Sequence, residues 1–144
     1  MSMTRARRAQ KTRGLVCLLA GDMAAAARYY KACLKRAPDS PEGWYGTAAL
    51  SLERGRWAEA ATAFVRGWQC DRGIPIGRYL QDLCMDAPDA WYSFAGALVE
   101  MRRKSAYECA DLVLAAVALD SRSPHALRQR ATRVRQSLAE ALAT

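Results

Sequence analysis

The chain has one histidine, no asparagine and no C-x-x-C pair, and it almost never alternates β-branched residues with polar ones. Each shortage excludes something. A lone His125 among dispersed cysteines cannot complete a zinc quartet, and five cysteines, an odd number, do not read as a disulfide scaffold. The same histidine shortage, with no Gly-rich phosphate loop and no H-E-x-x-H, leaves no Ser/His/Asp set and no mechanism to assemble. Cys70 and Cys84 are the nucleophile candidates. Neither has an activating partner nearby in sequence, so a structural thiol is the favoured reading. No enzyme, no cofactor and no metal are expected. Apolar runs such as Leu15 to Ala20 are far too short to span a bilayer. Hairpin turns of the Asn-Gly or Asp-Gly type are missing, which removes most β architectures.

What is present is an ordinary globular balance. The chain has 144 residues, 51% hydrophobic and 25% charged, enough for one domain with a core. The net charge of +8 is concentrated at the ends. Arg5, Arg7, Arg8, Lys11 and Arg13 face no acid in the first 13 residues. Arg122, Arg128, Arg130, Arg133 and Arg135 face only Glu140 after position 121, and the body between is almost neutral. That distribution suits solvated faces of terminal helices better than a protein built around a phosphate backbone. Binding of nucleic acid through the Arg-rich last helix is the weaker alternative, because no stacking aromatics are interleaved with those arginines. The basic start followed by Leu15 to Ala20 has the look of a targeting leader, but Asp22 cuts the apolar part short. A cytoplasmic protein with reduced cysteines is expected.

Alanine, leucine and arginine dominate, and Gly, Pro and Asp break the chain into helices of about 12 to 16 residues. Self-comparison orders those breaks. Gly21 and Gly55 lie 34 residues apart; counted from them, Ala26 matches Ala60, Tyr30 matches Phe64 and Cys33 matches Gly67. These positions share one helix face and alternate small with aromatic, which lets two helices approach closely. Pro41-Glu42-Gly43-Trp44-Tyr45 returns as Pro88-Asp89-Ala90-Trp91-Tyr92 at an offset of 47. The excess over 34 predicts an inserted segment with a short helix around Tyr79, Leu80 and Leu83. Core positions Cys109, Val113 and Ala116 are expected in the second helix of this third copy. A last stripe, Leu127, Ala131, Val134, Leu138 and Ala141, predicts a helix that covers the final repeat.

A 34-residue helix–turn–helix unit is the tetratricopeptide period, and the chain resembles that family. The early Trp falls on Trp44, the small first-helix residue on Gly14 and Ala48, and the turn Gly on Gly21 and Gly55. The second-helix Ala falls on Ala26 and Ala60, the aromatic on Tyr30 and Phe64, and the closing Pro on Pro38, with Arg72 in the corresponding place of the second unit. The fold this implies is all-α: three tetratricopeptide repeats in one domain over 1–144, forming a short right-handed solenoid. Repeat one covers about 7–40, repeat two about 41–72 and an inserted segment about 73–87. Repeat three covers about 88–121, and a capping helix follows over about 123–142. The family's groove positions land on Lys11, Leu15 and Leu18, then Tyr45, Ala49 and Leu52, then Tyr92, Gly96 and Val99. Only Lys11 is cationic there, so a clamp for a C-terminal carboxylate is disfavoured and an apolar protein segment is the expected client. For Tyr45 and Tyr92, packing between repeats stays open beside a groove role; Trp44 and Trp91 are expected to pack.

A narrower likeness is to the tetratricopeptide chaperones of bacterial type III secretion, which hold translocators before export. It rests on Phe64-Val65-Arg66-Gly67 with Asp71 and Pro75, on Met101 to Ala106, and on Leu127 to Val134 with Leu138. It implies a chaperone that buries an apolar client segment without chemistry. The insertion and the basic charge depart from that class. A general adaptor for a multiprotein complex is the alternative, and a homodimer stays open.

Overall fold

The structure is a computed structural model that describes residues 16–17, 20–70 and 88–143. Lys11, Gly14, Leu15 and Leu18, together with Arg72, Cys84 and the whole inserted segment 73–87, lie outside the described residues. The described chain is an all-α helical repeat solenoid with six helices. They are α1 (Met23–Arg36), α2 (Pro41–Glu53), α3 (Trp57–Cys70), α4 (Pro88–Glu100), α5 (Lys104–Leu119) and α6 (His125–Ala143).

The caps are local and legible. Asp22 starts α1, its carboxylate accepting from the Ala25 N–H at 3.1 Å. Ser40 starts α2, its hydroxyl accepting from the Gly43 N–H at 3.3 Å, with Pro41 in the first turn where its missing N–H costs nothing. In three turns one left-handed residue stands two places before the following helix. Gly21 (φ 78°) does this ahead of α1 and Gly55 (φ 69°) ahead of α3. Arg102, at φ 52°, does it ahead of α5. The three turns therefore repeat at the spacings of 34 and 47 seen in the sequence, although the third residue is not glycine.

An L side chain in that conformation costs about 1–2 kcal/mol. Arg102→Gly is therefore expected to stabilise the fold by about 1 kcal/mol, raising the melting temperature by a few degrees in a thermal scan. Gly55→Arg, the reverse change, should lower it.

Packing follows the chain order: α1 on α2, α2 on α3 (the second hairpin), α4 on α5 (the third hairpin) and α5 on α6, with α3 also meeting α4 and α5. A main cluster runs from Tyr45, Ala48 and Leu52 through Phe64 and Phe94 to Val113 and Leu127. A smaller one joins Ala26 and Tyr30 to Ala49 and Leu50. Between the second and third hairpins the core is a chain of rings: Tyr45 to Phe64 at 5.3 Å, Phe64 to Phe94 at 5.4 Å, and Phe94 to Trp91 at 6.4 Å. α6 buries Leu127, Ala131 and Leu138, while Val134 is half-buried and Ala141 exposed. Arg135 ties this helix back to α5 through Asp111, at 2.9 Å. In α5, Cys109 and Val113 are buried as expected, and Ala116 is half-buried.

The third hairpin is set end for end against α3. In a stack joined only by short turns, successive helices alternate in direction, and α4 would begin beside Cys70. Instead Met101 and Arg103, from the α4–α5 turn, share a cleft with Arg66, Gln69 and Cys70 at the end of α3. The Trp68 indole N–H also donates to Glu108 of α5 at 3.2 Å. α4 thus finishes, rather than starts, at that end of α3. Residues 71–87 separate the two helices. About 17 residues is ample chain to travel back along a helix of roughly 21 Å.

Candidate protein-binding surface

Nine groove positions were expected from the sequence, and the structure divides the six that it describes into two groups. Tyr45, Ala49 and Leu52 are in the core, at 1%, 1% and 8% exposed. The reason is that α2 is apolar nearly all round and is enclosed by α1 on one side and α3 on the other. Tyr45 lays its ring over Gly67, where a Cβ would stand 2.6 Å from Cε1. Gly46 receives the Tyr30 ring in the same way. These aromatics fill notches left by glycines, so the packing alternative is the one realised for Tyr45, and its expected place on a client-facing surface is corrected.

Tyr92, Gly96 and Val99 behave differently. They stand at i, i+4 and i+7 on α4, one stripe of the helix. Tyr92 and Val99 are half-buried and Gly96 is exposed. Among the described residues nothing lies within 4 Å of where a Gly96 Cβ would be. The Arg130 guanidinium of α6 sits over the Tyr92 ring at 5.9 Å, a cation–π contact that steadies the ring and brings one of the C-terminal arginines to the edge of the stripe.

Sequence reasoning missed a second feature, an open cleft of about 470 Å³. It lies between the α1–α2 turn (Pro38, Asp39), the outer face of α3 (Thr62, Val65, Arg66, Gln69, Cys70) and the α4–α5 turn (Met101, Arg103), with Trp44 at its base. Trp44 is half-buried against the core, as its motif position implied. Its indole N–H donates to the Pro38 carbonyl at 2.9 Å, and Arg66 rests over its ring at 5.2 Å. Burial, and then the Asp39 carboxylate, push the Cys70 thiol above its ordinary value, with Arg66 pulling the other way. That leaves a protonated, weakly nucleophilic sulfur at neutral pH. No signal in the sequence could have found this cleft, since its walls come from three segments brought together by the reversed hairpin.

Across α1, α2 and α3 the left-handed turn glycines, the glycine–aromatic notches and the 34-residue spacing coincide. Residues 18–76 match the tetratricopeptide repeat family. The matched stretch takes in those three helices and supports a protein-binding role for the chain, since such repeats are generally interaction modules without catalysis. The third hairpin and α6 lie beyond the tetratricopeptide match. No curated protein and no solved structure shows significant similarity to the chain. Among the described residues no helix is long and apolar enough to cross a membrane, and no group of three or more His, Cys, Asp or Glu side chains could hold a metal ion.

Proposed function

We propose that the protein is a non-catalytic tetratricopeptide binding module that holds an apolar segment of a partner protein against the Tyr92–Gly96–Val99 stripe of α4. The open space above Gly96 carries this reading. A glycine in the middle of an exposed helix face costs about 0.5–1 kcal/mol relative to alanine. Among the described residues no neighbour requires it, and close approach of another chain would account for it. Tyr92 adds a flat apolar face and a hydroxyl that can bond to a peptide carbonyl.

A narrower reading is that of a cytoplasmic holding chaperone for a type III secretion translocator. It rests on the sequence echoes at 64–67, 101–106 and 127–138, and on the way such a client would be kept from aggregating by covering its apolar surface. An adaptor that bridges soluble proteins uses the same stripe and fits the matched family equally.

Gly96→Trp tests the surface without touching the core. The variant should fold with an unchanged or slightly higher melting temperature and lose the partners that wild type retains from host lysate after a high-salt, nuclease-treated wash. Gly96→Ala should keep them. Retention by the Trp variant removes α4 from the binding surface. A single hydrophobic, membrane-active partner among those lost supports the chaperone, and several soluble partners support the adaptor.

A further inference from the structure

We propose that the cleft at the end of α3 is a second binding site, one that takes an acidic peptide segment carrying an apolar side chain. It is separate from the α4 stripe and does not depend on it. Two guanidinium groups, Arg66 and Arg103, stand on its walls against one carboxylate, Asp39, so its charge favours a negatively charged ligand. Among the described residues neither arginine forms an ion pair with a protein carboxylate, whereas Arg56, Arg122 and Arg135 each do.

Arg66 is also ordered in advance. The indole beneath it is held by its bond to Pro38 and by the core, so the ring positions the guanidinium over the cleft, and among the described residues its N–H donors have no carboxylate partner. Much of the side-chain entropy that a surface arginine loses on pairing is already spent, the condition under which a charged contact contributes to affinity. Met101 supplies apolar lining for a neighbouring side chain, and Gln69 and Asp39 can accept from peptide N–H groups. A cavity of about 470 Å³ has room for a few side chains, which fits a short segment rather than a folded domain.

The same features weigh against a nucleic-acid strand. Asp39 repels a phosphodiester chain, and the Trp44 ring face that would stack a base is covered by Arg66.

The experiment is selection of random seven-residue peptides on wild-type protein, followed by affinities of the selected peptides for wild type, for Arg66→Gln with Arg103→Gln, and for Gly96→Trp. The expected result is enrichment of peptides that pair Asp or Glu with an aliphatic or aromatic residue. Their affinity should fall tenfold or more in the double variant and stay within twofold in Gly96→Trp. Selected peptides without acidic residues, peptides indifferent to the double variant, or no selection at all would each overturn the proposal. So would a single-stranded DNA 20-mer that binds more tightly than every selected peptide and loses that affinity in the double variant, since the arginines would then serve phosphate. Melting curves of the double variant should match wild type, because both arginines are exposed.

Discussion

Replacing Tyr45 and Leu52 together by glutamate is expected to abolish the cooperative melting transition and most of the far-UV helical signal. Tyr45 is 1% exposed, in contact with Phe64 and seated in the notch at Gly67, and Leu52 belongs to the same cluster. A carboxylate placed there either keeps its charge without water or takes up a proton at a cost, and an unpaired buried ion costs several kcal/mol. Two such groups approach the whole stability of a typical domain, about 5–15 kcal/mol. The result also decides between two roles for these positions. A double variant that melts like wild type would place both side chains on a surface; an unfolded one confirms them as core.

Phe64→Ala should cost about 3–5 kcal/mol, the range for removing a fully buried aromatic ring. Its ring is the middle member of the chain running from Tyr45 to Phe94 and is 0% exposed. The cavity would open where the second and third hairpins meet, and α2, α3 and α4 all lose contacts at once. A drop in melting temperature on the order of 10 °C follows for a chain of this size. Chemical denaturation gives the check: a fall in stability below about 1 kcal/mol would mean that the junction repacks around the loss, and the ring chain would not be what joins the hairpins.

Much of the architecture was legible in the sequence because it is local. The caps at Asp22 and Ser40, the left-handed turns at Gly21 and Gly55, and the alternation of Ala26, Tyr30 and Cys33 with Ala60, Phe64 and Gly67 depend on residues within one or two turns of each other. The offset of 47 was equally reliable, and Arg102 shows why the backbone is the better witness. The third turn has its left-handed residue without the glycine that marks the other two. The binding positions were less legible. A register inherited from a repeat family says which face of a helix a residue is on, but whether that face is covered depends on what packs over it. Tyr45 and Tyr92 occupy the same repeat position after a tryptophan; one is enclosed beneath α3 and the other stays half-open beside Arg130.

The helical class, the repeat period, the turns and the closing helix follow from local pattern, since periodicity and capping act over a few residues and need no partner. The direction of the third hairpin, and with it the meeting of Met101 and Arg103 with the end of α3, emerges from long-range packing. The insertion announces extra chain, but a length does not state a direction. Whether α4 starts or ends beside Cys70 depends on long-range packing, such as that of Phe94 on Phe64, which no local pattern encodes. The cleft of Trp44, Arg66 and Arg103 exists because the α4–α5 turn lies at the end of α3.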